Sequence, residues 1–295
     1  MKDLPKRSIQ GNHHVVKETV NEYNGMDVSP EGEKAMPFLY ETHMHTCQGS
    51  ACGKATGREQ ARVYKDAGFT GIIITDHFFG GNTAVDRSLP WERRVDLFWR
   101  GYEEAKEEGD RIGLDVFFGL EQNIHFDEYL IYGLTKDYMK AHPEMEHWNR
   151  HEQLEEVHRA GGCVIQAHPF RIRNYMDRIR LGLLYCDGIE VANTGNDQLD
   201  DARAWLYAQE NKLIMTAGSD NHCGANWPLY GVVLDHRLTD IRDYAKDILA
   251  GKQMELLIPE GRLDMPADPV IDERHRAYML DNTEQDVPAE MEWTE

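Results

Sequence analysis

Cysteine is scarce in this chain and never paired in sequence. The five present, Cys47, Cys52, Cys163, Cys186 and Cys223, are odd in number and form no CxxC motif. That argues against a disulfide framework and against a structural zinc knuckle, so reduced thiols are expected. Long apolar runs are missing too: no stretch approaches the roughly 20 residues of a membrane span, and the opening MKDLPKRSIQGNHHVVKETV lacks the apolar core of a secretory signal. A cytoplasmic protein with no membrane partner is the expectation. Positive charge is under-represented, with 32 Lys and Arg against 52 Asp and Glu and a formal net charge of -20. The far field repels polyanions, which makes a nucleic-acid polymer a poor partner. A small phosphorylated substrate remains compatible, because divalent cations at a site reverse the local sign.

What is present is ordinary globular material. Hydrophobic residues make up 41% and charged residues 28% of 295 positions, enough to bury one core of α/β-barrel size. Residues 1–35 are polar and aperiodic, with Asn24-Gly25 and Ser29-Pro30, and read as an N-terminal extension. From 36 to 261 short apolar runs alternate with amphipathic ones, the pattern of repeated β-α units. Strands are expected at 38–43, 71–75, 115–120, 129–134, 162–167, 188–191, 213–217 and 229–234. Helices are expected at 58–67, 91–108, 144–160, 196–211 and 239–250. Residues 262–295 form an acidic tail with three prolines and little periodicity, expected to pack in part or fray. No internal repeat is evident.

The chemistry sits where strands end. His43-Met44-His45 follows PFLYET, and alternate side chains of an extended segment share a face, so both imidazoles can reach one ion. Five further expected strands repeat the placement: His77 after GIIITD, Glu121 after DVFFGL, His168 after GCVIQA, Glu190 after DGI, and Asp220 with His222 after LIMTAGS. The C-terminal ends of strands are where β/α barrels assemble active sites. Imidazoles mixed with carboxylates suit zinc, manganese or iron. A carboxylate such as Glu121 can bridge two ions, and paired ions suit displacement at phosphorus through a hydroxide.

The ordered set His43-Met44-His45-Thr46, Thr75-Asp76-His77, Gly119-Leu120-Glu121, Ala167-His168-Pro169 and Gly218-Ser219-Asp220-Asn221-His222 resembles the polymerase and histidinol phosphatase (PHP) domain of metal-dependent phosphoesterases, over roughly 38–261. The resemblance implies a distorted seven-stranded (β/α)7 barrel with two or three divalent ions (Zn, Mn or Fe) at its mouth. It further implies that His43, His45, Glu121 and Asp220 surround one ion, that Glu121 and His168 reach a second, and that His77 and His222 belong to a third. The sequence departs from the family pattern in three places. Glu41 stands where an Asp is usual, Leu130 where a histidine is expected, and Ala51 and Cys52 where an acidic residue or histidine often follows the first motif. His125, Glu128 and Cys52 are the neighbours able to fill such gaps.

Two residues are assigned catalytic work, Arg171 and Asp76. Arg171 follows His168-Pro169-Phe170, where a guanidinium fork would grip a phosphate; Arg173 is the second choice and Lys54 a weaker one. Glu190 and Asn193 are expected to orient ligands, and Trp227 is a candidate to stack on a substrate ring. The leading expectation is a metal-dependent phosphoesterase that hydrolyses a small phosphate ester, a sugar phosphate, a histidinol phosphate-like compound or a nucleotide, through metal-bound hydroxide. The alternatives are a non-catalytic metal-binding regulatory module and a single-strand nuclease.

Overall fold

The computed structural model describes residues 37–289; the expected extension over 1–35 and the last six positions of the tail lie outside the described residues. Among the described residues, twelve strands fall into two sheets. The larger holds β1 (Phe38–Glu41), β2 (Gly71–Ile74), β3 (Asp115–Ile124), β4 (Asp127–Tyr132), β5 (Cys163–Gln166), β7 (Gly188–Asn193), β8 (Ile214–Gly218), β9 (Gly231–Leu234) and β10 (Glu255–Leu257). The smaller joins β6 (Ile179–Leu181) to β11 (Ala277–Leu280) and β12 (Asp286–Pro288).

In the large sheet the spatial order is β10-β9-β1-β2-β3-β4-β5-β7-β8. Strands β1, β2, β3, β5, β7 and β8 share one direction, while β4 and β9 run against their neighbours. Gln253, just before β10, donates to the Leu213 carbonyl at 2.9 Å and accepts from the Met215 N–H at 3.4 Å. This brings one edge of the sheet against the other, and the sheet nearly closes into an α/β barrel of the PHP type, the architecture expected above. One buried cluster contains Tyr40, Ile73, Leu130, Ile165, Ile214 and Val232, from six different strands, which only the inside of a nearly closed sheet allows. Parallel strands with both faces covered read as unbroken apolar runs, and Ile72-Ile73-Ile74 of β2 is buried throughout.

Among the described residues seven helices cover the barrel: α1 (Gly57–Asp66), α2 (Trp91–Phe98), α3 (Arg100–Ile112), α4 (Lys136–Ala141), α5 (Arg150–Arg159), α6 (Gln198–Asn211) and α7 (Ile241–Leu249). The single helix expected over 91–108 is thus two. It breaks at Trp99, whose ring lies flat on Phe118 with centroids 3.8 Å apart. The next turn brings Gly101 so near the first ligand loop that an added Cβ would meet Thr46 Oγ1 at 2.1 Å. The helix expected over 144–160 starts instead as a 3-10 turn (Pro143–His147); Asn149 then caps α5, its side chain accepting from the Glu152 N–H at 2.8 Å.

Glu108 joins α3 to α1. Its buried carboxylate accepts from Arg111 Nη2 at 2.6 Å and Arg62 Nε at 2.7 Å, and lies 3.3 Å from Arg58 Nη1. Hydrogen bonds from Arg111 and Arg62 bring its pKa down to about 2. A folded-state value below the unfolded one stabilises the protein above about pH 4.3 and is lost as pH falls through the folded value. Glu108→Gln should therefore be less stable than wild type at neutral pH, with the gap closing as pH drops towards about 2. Equal urea midpoints at neutral pH would refute this.

The described part of the tail packs on the barrel. Parallel pairing of β11 with β6 anchors it, and Asp286 accepts from Arg178 and Arg180, each at 3.0 Å. The buried Arg150 on α5 then ties Asp127 (2.5 Å) to Glu284 (2.9 Å).

Candidate metal centre

All seven side chains expected as ligands converge at the C-terminal ends of the parallel strands. The isolated bridges Met44–Asn221 and His77–Glu121 extend the parallel alignment three residues past the ends of β1, β8 and β2, the last against Glu121 within β3. That extension sets His43 and His45 beside Asp220, and His77 beside Glu121. Two of the residues, His168 (φ 28°) and Asp220 (φ 50°), adopt left-handed backbone, which non-glycine residues seldom do and which concentrates at functional sites. Gly218 is required here: a Cβ on it would meet His43 Cβ at 2.5 Å and Glu190 Oε1 at 2.7 Å.

Neighbouring groups fix the imidazole tautomers. His43 Nδ1 lies 2.9 Å from Glu190 Oε1, and a carboxylate can only accept, so Nδ1 carries the proton and Nε2 is left as a donor atom. Ser50 does the same for His45. Its hydroxyl hydrogen goes to Asp76 Oδ1 (2.7 Å), which obliges it to accept from His45 Nδ1 at 2.9 Å. His222 Nδ1 donates to the Asp220 carbonyl at 2.7 Å. Three histidines thus have Nδ1 engaged behind the cluster, which leaves Nε2 as the atom each can offer a cation.

Glu121 stands between two pairs of rings. Its Oε1 is 3.3 Å from both His43 Nε2 and His168 Nε2, whereas Oε2 is 3.5 Å from His45 Nε2 and 2.5 Å from His77 Nδ1. Asp220 Oδ1 lies 3.1 Å from His45 Nε2 and 3.5 Å from His43 Nε2, and those two nitrogens are 3.2 Å apart. Separations near 3.2 Å are what two bonds of about 2.1 Å to a shared ion subtend. Glu121 Oε2 and His77 Nδ1 are buried and, although in contact, have no hydrogen-bond partner. The donor set fits a divalent cation. Four groups have the required convergence: His43/His45/Glu121, His43/His168/Glu190, His45/His77/His222 and His77/Glu121/Glu128.

Electrostatics agree. Burial opposes charging His43, yet Glu190, Asp220 and Glu121 together hold it well above the ordinary histidine range. Burial likewise opposes ionising Glu121 and Asp220, but His77 and His43 beside the first, and His43 and Arg171 beside the second, keep both well below the usual carboxylate range. His45 is pushed well down by burial and by His77 and His222. Positive charge on imidazoles stabilises a nest of carboxylates here, a role a metal cation fills.

The two residues assigned catalytic work take different places. Asp76 does not enter the cluster. It is buried behind it, accepting from the Thr46 N–H and Oγ1 (2.6 Å each) and from Ser50, and burial pushes it up to about 6; it holds the first ligand loop and, through Ser50, His45. Arg171 is buried, and each of its nitrogens already donates: Nη1 to Asp220 Oδ2 (2.6 Å), Nε to Asn196 Oδ1 (2.5 Å) and Nη2 to Asn193 Oδ1. Its foremost contact is with a candidate ligand, and the expected phosphate grip has two N–H groups left to it. Glu190 bonds His43 and accepts the His168 N–H at 3.1 Å. Glu41 accepts from the N–H groups of His43 (2.8 Å) and Ser219 (2.9 Å), tying two ligand loops together. Trp227 spends its indole N–H on Thr194 Oγ1 and the Ser219 carbonyl.

Of the neighbours named as replacements, His125 is exposed in the two-residue β3–β4 turn and joins none of the four groups. Cys52 lies against His222 and His77; burial raises its thiol, but hydrogen bonds from these rings bring it down to about 6. Leu130 is core. Ser50 went unrecognised in the sequence, where nothing distinguishes it from a loop serine.

No protein-family model and no curated protein matches the chain. Among solved structures, the fold is similar to a two-domain protein from Bacteroides vulgatus containing a predicted PHP-like metal-dependent phosphoesterase, at 17% identity and TM-score 0.55 over 79% of this chain and 68% of that one. It is also similar to PsfC from Pseudomonas syringae, at 14% identity and TM-score 0.52 over 77% and 93%. At these identities the likeness is one of fold. Among the described residues no helix is long and apolar enough to cross a membrane.

Proposed function

We propose that this chain is a metal-dependent phosphoesterase acting on a small phosphate ester. The observation that carries the reading is Glu121, whose two oxygens face two different histidine pairs at the barrel mouth, the arrangement that suits paired ions. His43, His45, Glu121 and Asp220 would hold one ion and His168 would help hold a second, with His77 and His222 at the far side. Such ions, when bound, supply Lewis acidity towards water and a phosphoryl oxygen.

The protein's own groups do the rest. Glu190 and Ser50 keep protons on the outer nitrogens of His43 and His45, so the inner ones stay available. Arg171 fixes Asp220. A small, open pocket lies beside His168 and is lined by Glu128, Arg171, Arg173, Phe126 and Tyr175. The net charge of -20 favours a small ester over a polyanionic polymer. Arg173, exposed on the pocket wall, supplies a cation for the phosphate, joined by the free N–H groups of Arg171.

The test is phosphate release from sugar phosphates, histidinol phosphate and nucleotides by protein loaded with manganese, zinc or iron. Release that disappears in His43→Ala is the expected result. A fully metallated protein that leaves every ester intact would sink the reading and favour a non-catalytic metal-binding module. Cleavage of single-stranded oligonucleotides with no attack on small esters would favour the nuclease.

A further inference from the structure

We propose that Glu128, near the start of β4, is a metal ligand, and that with His77 and Glu121 it forms the part of the centre that opens on the pocket. The proposal rests on the metal-centre reading above and adds a residue to it. One oxygen of Glu128, one of Glu121 and one nitrogen of His77 all lie within 4.8 Å of one another, and Glu128 Oε2 is 3.4 Å from His168 Nε2. A second observation points to a ligand there: Glu121 Oε2, 1% exposed, faces this group with no hydrogen-bond partner.

Charge makes the same point. Glu121 is buried and Glu128 half-buried, and among the described residues no lysine or arginine forms an ion pair with either carboxylate. Among the described residues the Glu128 carboxylate accepts from Asn123 Nδ2 at 3.4 Å and touches His168, and Arg171, which lines the same pocket, is engaged with Asp220. Like charges so placed repel unless a cation joins them.

Strand geometry explains why position 128 serves. Leu130 is opposite Glu121 across the β3–β4 pair, and Glu128 is opposite Asn123. Residues two apart on a strand share a face and stand about 7 Å apart, and β4 runs against its neighbours, so Glu128 lies nearer the mouth than Leu130. The deeper place is filled by a core leucine, and the longer carboxylate at the mouth reaches the cluster. A second carboxylate beside Glu121 hardens the donor set and favours manganese over softer ions at this position.

The decisive measurement is metal binding, read by elemental analysis and by calorimetric titration of metal-free protein with manganese. Wild type is expected to take up at least one ion that Glu128→Gln either fails to hold or holds at least about tenfold more weakly. The tighter ion, lost in His43→Ala, should stay in Glu128→Gln. Thermal unfolding separates this from a structural role. Metal-free Glu128→Gln should be no less stable than wild type, because a like charge beside Glu121 is gone, yet it should gain less stability on adding manganese. Identical stoichiometry and affinity in wild type and variant would overturn the assignment of Glu128 and leave the metal centre standing. A wild type that binds no ion would overturn both.

Discussion

Glu121→Gln is expected to reduce kcat/KM for phosphate-ester hydrolysis about a thousandfold and to remove at least one bound ion. The carboxylate meets His43 and His168 through Oε1 and His45 and His77 through Oε2, so its two oxygens face two different pairs of imidazoles. A glutamine has the same shape but offers one acceptor oxygen and turns an NH2 group on the other pair of rings. Metal stabilisation of transition-state charge is worth several kcal/mol, and about 4 kcal/mol corresponds to three factors of ten in rate. The companion measurement is metal content after dialysis. A variant that keeps wild-type metal content and loses less than about tenfold in kcat/KM would show that Glu121 is not the bridge.

The residues behind that expectation are legible in the sequence itself, and the reason is physical. A barrel whose parallel strands are buried on both faces writes them as short apolar runs, and the residue ending each run must lie at the mouth. His77, Glu121, His168 and Asp220 are therefore placed together by sequence alone. What pattern cannot carry is which atom faces which. Asp76 follows the same rule of placement yet turns backwards to Thr46 and Ser50, because the first loop needs an acceptor for its own N–H. Arg171 is adjacent to a ligand in sequence, but a side chain that long has many reachable partners, and Asp220, Asn193 and Asn196 lie within its reach. The left-handed backbone at His168 and Asp220 leaves no trace in composition. The short strands β6, β11 and β12 are stabilised by long-range pairing and by the Arg178 and Arg180 bonds to Asp286, not by local periodicity, and so the tail reads as irregular.

Arg171→Met carries the second large effect, and it is one of stability. The guanidinium is buried and its Nη1 meets Asp220 Oδ2 at 2.6 Å. Removing one partner of a buried ion pair strands the other, at a cost of about 3–5 kcal/mol. A domain of this size loses roughly 2–4 °C for each kcal/mol, so metal-free Arg171→Met should unfold on the order of 10 °C below wild type. Added manganese should close part of that gap, because a cation beside Asp220 then supplies charge that the variant lacks. Arg171→Lys should recover less than half of the loss, since an ammonium meets Asp220 as a point charge and cannot also reach Asn193 and Asn196 in the fork geometry. If the arginine served only to grip the phosphate, metal-free Arg171→Met would unfold with wild type and only KM would rise. If it positions Asp220, as the contacts indicate, stability and metal affinity must fall together, and Arg173→Ala, on the open side of the pocket, should raise KM while leaving both untouched.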